Sequence, residues 1–272
     1  VRLDDASYMT INNLNVLGTG VTYGYGYHLT NGSNWNTISN CTIDLTAVTS
    51  TSSTNATGIL ASGSTTSTST AGNNANHCTF SNNTIVGGST GLYYGIRING
   101  NTGGLDCVGN TIENNTISNV YAYNIYLDDT DSSHVVGNDI SRAGKTSVTS
   151  FYGIFMTSGN RNALIEKNRI HNTHDAASSQ TGATYGIYFS GSDAPIGSPN
   201  VAVNNLLYNL NSNGTIYAIY NSSSDGAHYY HNTVSIDHAA ATGGTTRGFY
   251  QTTTASDIIF QNNIISITRG GS

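Results

Sequence analysis

The chain has 272 residues, nine Lys and Arg against fifteen Asp and Glu, a formal net charge of −6, and only 9% charged residues. No basic patch gives it the footprint of a nucleic-acid binder, and no apolar run approaches the length of a membrane span. Ser, Thr, Asn and Gly supply the polarity instead, as on a sheet solvated by neutral groups.

Taken in order, the predicted elements are copies of two short phrases. The first sets an Asn two residues before an aliphatic. It opens loosely as TINNLNV ending at Val16 and TISNCTI ending at Ile43, and is clearest as FSNNTIV over Phe80–Val86. It returns as TIENNTI, VVGNDI, LIEKNRI, VAVNNLL, YYHNTV and IFQNNII. Its aliphatics form one column: Val16, Ile43, Ile85, Ile117, Ile140, Ile170, Leu207, Val234 and Ile265. Two residues earlier stand Asn83, Asn115, Asn138, Asn168, Asn205, Asn232 and Asn263, with Leu14 and Cys41 in the first two copies. The second phrase alternates with the first: Tyr94-Gly95-Ile96, Tyr123-Asn124-Ile125, Tyr152-Gly153-Ile154, Tyr185-Gly186-Ile187, Tyr217-Ala218-Ile219 and Arg247-Gly248-Phe249.

A fixed core of two phrases separated by variable insertions is the signature of a solenoid. Stacked coils lie about 4.8 Å apart, the spacing of neighbouring strands. At that distance each Asn amide can donate to the Asn carbonyl of the next coil, with backbone groups at the bend taking its other bonds. Asn also tolerates the left-handed backbone of a tight corner. The alternative is a set of exposed turn residues.

On these phrases the chain resembles the right-handed parallel β-helices of the pectate-lyase-like superfold. More narrowly, it is similar to the Asn-rich β-helix regions of large secreted and surface proteins of Bacteroidetes-type bacteria, where SNNTI, YGI and GNTI are typical. The resemblance covers nearly all of the chain. It implies an all-β, single-stranded parallel β-helix of about nine coils with an internal Asn ladder. It implies an extracellular or cell-surface location, but leaves activity open, because the superfold carries lyases, hydrolases, adhesins and tailspikes alike. The hydrolase members carry Asp, Gly-His-Gly and Arg-Ile-Lys motifs that this sequence lacks.

The phrases run without a break, so residues 1–272 read as one domain. Residues 61–77, with STTSTSTAGNNAN at Ser64–Asn76, read as a flexible surface insertion. Further loops leave one edge at 141–152, 171–184 and 235–247, and another at 99–108 and 191–198. Cys41, Cys78 and Cys107 are odd in number and lack metal-binding spacing, so they read as small buried hydrophobes. No leader opens the chain, and neither end has an amphipathic cap. The expectation is a segment of a longer protein, or flanking domains or neighbouring subunits that cover the ends.

Three clusters are candidate sites. One place past the Ile of each YGI phrase stand Arg97, Tyr126, Phe155, Tyr188, Tyr220 and Tyr250. If the Ile points inward, alternation sends these outward as an aromatic stripe. Such a stripe can stack against a β-linked glycan, or pack on itself as a stabilising ladder. The companion column, Tyr94, Tyr123, Tyr152, Tyr185 and Tyr217, is expected to point inward or into the corner. The second cluster is acidic: Asp106, Asp128, Asp129 and Asp131, beside Arg97. Asp106, Asp128 and Asp129 can serve glycoside hydrolysis. Asp128, Asp129 and Asp131 can hold Ca²⁺, the one cofactor considered. A solvated Asp-rich turn explains them equally. The third is Arg142, Lys145, His171, His174 and Asp175, the cations and base that a lyase needs. Matching offsets also predict adjacent-coil ion pairs, Lys145 with Asp175 and Asp139 with Arg169.

The composite expectation is a non-catalytic stalk or adhesin segment with polysaccharide as partner. A polysaccharide lyase or hydrolase with its site on coils three to six, and a structural filament unit, are the alternatives.

Overall fold

The computed structural model describes residues 1–101 and 107–271. Three parallel sheets of nine strands each make up the molecule, and every turn of the chain contributes one strand to each sheet. Sheet 1 runs from Arg2–Asp4 to Thr246–Thr252, sheet 2 from Thr10–Asn12 to Ile259–Gln261, and sheet 3 from Asn15–Leu17 to Ile264–Ile267. The architecture is a parallel β-solenoid. Nine strands per sheet are separated by eight turns, so the count is about eight turns rather than nine complete coils. One short 3₁₀ turn, Asp175–Ala177, is the only helix among the described residues.

The aliphatic column is a single stack in sheet 3. Val16 pairs Ile43, Ile43 pairs Ile85, and the register continues without a slip to Val234 and Ile265. From Ile43 to Val234 these side chains are buried. They meet the inward residues of the other sheets, such as Ile96, Ile125 and Ile154 from sheet 1 and Phe80, Ile112 and Ile165 from sheet 2. Burial of each such side chain is worth roughly 1.5–3 kcal/mol.

The corner between sheets 2 and 3 is two residues long, and it holds the amide ladder. Nδ2 of Asn83 donates to Oδ1 of Asn115 at 3.0 Å, and the same bond links Asn115 to Asn138 and Asn138 to Asn168 at 3.0 and 2.9 Å. It continues from Asn168 through Asn205 and Asn232 to Asn263, at 2.9–3.0 Å. The second Nδ2 proton goes to a main-chain carbonyl, as from Asn138 to Ile112 O at 2.9 Å. Each interior Oδ1 also accepts a backbone N–H, as from Asn115 N to Asn138 Oδ1 at 3.0 Å. Every interior amide is therefore satisfied although it is shut off from water. Cys41 joins the row through its backbone N–H, which donates to Asn83 Oδ1 at 3.0 Å.

The left-handed residue at this corner is not the ladder Asn but its predecessor. Asn13, Asn40, Asn82, Asn114, Gly137, Lys167, Asn204, His231 and Asn262 all have φ between 48° and 65°. The two roles are split: one residue turns the chain, and the next fills the interior. A second, interrupted amide column at the corner before sheet 2 was not visible in the sequence. Asn36, Asn110 and Asn200 accept the backbone N–H of Met9, Cys78 and Ala163 at 2.9–3.0 Å.

The ladder yields a stability prediction. Asn138→Leu leaves the backbone N–H and one Nδ2 proton of Asn115 buried without an acceptor, at a cost on the order of 3 kcal/mol. Asn263→Leu, in the partly exposed last rung, is expected to cost less than half as much. Urea unfolding of the two variants checks this, and equal losses would refute the ladder's role.

Candidate functional site

Sheet 1 carries the aromatic residues on its outer face. The stripe is in register: Arg97 pairs Tyr126, then Phe155, Tyr188, Tyr220 and Tyr250 follow. The companion column differs from expectation. Tyr94, Tyr123, Tyr152, Tyr185 and Tyr217 also lie on the outer face, packed ring to ring against the stripe. Tyr123 meets Tyr126 at 5.2 Å, Tyr152 meets Phe155 at 5.5 Å and Tyr185 meets Tyr188 at 5.2 Å between centroids. The cause is a break in alternation between each Tyr and Ile, repeated on every coil with the strands still paired one to one. A Cβ on Gly153 would lie 3.0 Å from Ile170 in the interior and would collide with the Gly186 carbonyl oxygen. Asn124 in the same column is wholly buried. Two successive residues therefore face inward, alternation fails for one step, and the preceding Tyr is thrown outward.

The rings stack along the solenoid axis. Tyr123 and Tyr152 lie 4.2 Å apart and 10° from parallel, and Tyr152 and Tyr185 4.9 Å and 14°. Tyr188 stacks on Tyr220 at 4.4 Å, and Tyr220 on Tyr250 at 5.4 Å. The stacking is interrupted where Phe155 meets Tyr188 at 70° and where Tyr185 meets Tyr217 at 65°. Ring faces are thus largely spent on one another, and the half-buried column offers solvent its edges and hydroxyls. An arginine closes each end: Arg97 lies over Tyr94 and Tyr126 at 4.5 and 4.6 Å, and Arg247 over Tyr250 at 3.6 Å. Beside the rings runs a polar column in register: Asn99, Asp128, Thr157, Ser190, Ser222 and Thr252. Tyr220 shares a hydrogen bond of 3.0 Å with Thr252.

The insertion at 61–77 lies over the earlier part of this face. Asn99 Nδ2 donates to Thr68 O at 2.7 Å, Thr68 Oγ1 donates to Ser53 O at 2.9 Å, and the outward Leu60 is 0% exposed. The aromatic face is open from Tyr123 onward.

The acidic candidates do not converge. Asp131 pairs with Arg161 at 2.9 Å, and Asp129 accepts the Gly159 N–H at 2.8 Å. Burial raises the pKa of Asp128, against the hydrogen bonds from Ser158 and Tyr126. Asp106 lies outside the described residues. Among the described residues no group of three His, Cys, Asp or Glu is placed to hold a metal ion.

The basic candidates are interior struts. Arg142 is 0% exposed and donates to the carbonyls of Thr173, Tyr121 and Thr149 at 2.8–3.1 Å. It also donates to His174 Nε2 at 2.6 Å, which requires a neutral imidazole. Burial, then the Arg142 charge, holds that imidazole down at about 2. Lys145, also 0% exposed, donates to the carbonyls of Thr90 and Gly91 at 2.9 and 2.5 Å. The predicted Lys145–Asp175 pair is therefore absent. Asp175 is held instead by the amides of Asn172 and Asn211. The other predicted pair forms: Arg169 meets Asp139, which also binds His171 at 2.7 Å. A polar groove of about 520 Å³ beside Asp175, lined also by Asn172, Asn211, Asp237 and His238 among others, was not visible in the sequence.

Cys41, Cys78 and Cys107 are buried. No helix among the described residues is long and apolar enough to cross a membrane. Comparison with protein-family models, with curated proteins and with solved structures finds no match to this chain.

Two pH effects follow. Burial, then the Arg142 charge, pulls the Lys145 ammonium down to about 7. Its folded value lies below the unfolded 10.5, so its contribution is whole above 10.5 and is lost as pH falls through 7. Wild-type stability is therefore expected to rise relative to Lys145→Met between pH 7 and 10; a pH-independent difference in denaturant unfolding would refute this. The phenols act in the opposite direction. Tyr94 and Tyr185 are pushed up to about 12, chiefly by burial. Their stabilisation is whole below pH 10 and is lost as pH rises through 12. Ultraviolet titration is expected to show a fraction of the phenols, Tyr94 and Tyr185 among them, ionising above 10 in the folded protein and returning to 10 in denaturant.

Proposed function

We propose that the protein is a non-catalytic β-solenoid segment of a secreted or surface-displayed bacterial protein, a stalk or adhesin that binds polysaccharide along its aromatic face. The observation that carries this reading is the open run of half-buried tyrosines from Tyr123 to Tyr250, flanked by a column of Ser, Thr and Asp side chains. An extended β-linked glycan advances by about one coil spacing per sugar, so each coil offers one sugar the same phenol and hydroxyl. Contact is by ring edges and hydroxyls more than by flat stacking, because neighbouring rings cover one another. The resemblance to Asn-rich β-helix regions of the pectate-lyase-like superfold supports the location and the bacterial source. Flanking coils or domains would cover the strand edges exposed at Ile264 and Ile267.

One observation favours the alternative of a lyase or hydrolase: the groove that holds Asp175, Asp237 and His238. Against it, Arg142 and Lys145 are buried on main-chain carbonyls, where they cannot reach a substrate carboxylate. A filament unit would show end-to-end contacts between copies and a buried stripe.

A glycan array on the wild type and on Tyr188→Ala/Tyr220→Ala tests the proposal, with reducing-sugar and unsaturated-product assays alongside. Binding about tenfold weaker in the variant is expected, the worth of two ring contacts, with no product. Product that survives these changes and is lost in Asp175→Asn/Asp237→Asn would transfer the assignment to the enzyme.

A further inference from the structure

We infer that the polymer taken by this face is an uncharged glycan, an inference that rests on the binding role proposed above. The four open strands, Tyr123–Asp128, Phe151–Thr157, Thr184–Ser190 and Ile216–Ser222, contain no Lys, Arg or His. Their one ionisable group besides the phenols is Asp128. Between Arg97 and Arg247, which lie on the end rings, a polyuronate laid along them would meet no counter-charge and one carboxyl, on a molecule of net charge −6.

A polycation is excluded by a different feature. Cations bind aromatic rings over the face. Here neighbouring rings cover the faces, from Tyr123 on Tyr152 to Tyr220 on Tyr250. At the two ends of the ladder the chain's own guanidiniums already sit on the rings, Arg97 on Tyr126 and Arg247 on Tyr250. Arg97 is further committed to Asn99 Oδ1 at 2.7 Å. What faces outward is ring edges, which carry the positive side of the quadrupole, with phenols and the hydroxyls of Thr157, Ser190 and Ser222, each able both to donate and to accept. Sugar hydroxyl and ether oxygens match that set without any charge.

Affinity electrophoresis through gels containing a neutral β-glucan, a neutral xylan, polygalacturonate or chitosan tests this with the whole chain. Retardation by a neutral glycan alone is expected, insensitive to salt and weakened about tenfold in Tyr188→Phe/Tyr220→Phe. That variant keeps the ring stack and removes only two hydroxyls, and its melting curve serves as the folding control. Equal or stronger retardation by polygalacturonate or chitosan, abolished by salt, would overturn the inference and leave the binding role standing. No retardation in any gel would overturn both.

Discussion

The structure depends on a row of amides shut off from water at every rung but the last. A parallel solenoid turns its chain sharply at every corner, and each turn brings polar backbone into the interior. The Asn row resolves this with one side chain per coil. It accepts from the coil before, donates to the coil after, and donates once more to a carbonyl of sheet 2. The bond lengths of 2.9–3.0 Å also hold the axial spacing constant. With the spacing held, the aliphatics of sheet 3 stack in register, and the rings of sheet 1 come within stacking distance without further adjustment.

The interior was legible in the sequence because both of its columns repeat at one fixed offset from each other. Ile and Asn recur two residues apart through loops of any length, and only a common axis explains that. The stripe from Tyr126 to Tyr250 was legible for the same reason. Its companion column was not, because alternation assumes an unbroken pleat. The break in alternation at Gly153 and its equivalents is a backbone event, and the glycine that permits it is compatible with several conformations. The interior fate of Arg142 and Lys145 was equally hidden. A cation ordinarily stays in water, and nothing in a linear sequence announces that carbonyls from Thr90, Gly91, Tyr121 and Thr173 converge on a corner. The ion pair of Asp139 with Arg169 was readable because both lie in the repeating strand.

The two groups of side chains most easily taken for chemistry have separate physical roles. The buried cations tie loops to the body at the corner between sheets 3 and 1, with His174 kept neutral so that it can accept from Arg142. The aromatic face is first a stabilising ladder, and what it offers outward is what self-packing leaves over. A surface of that kind is rigid: a ring that moves must break contacts with rings on both sides.

The amide row has a direction. Along it each side chain gives one proton to the next rung, and the last, Asn263, gives its protons to the carbonyls of Tyr229 and Gln261. At the opposite end the matching position is Leu14, an aliphatic with nothing to accept. Every rung is oriented alike, so the amide dipoles of successive coils add along the axis instead of cancelling.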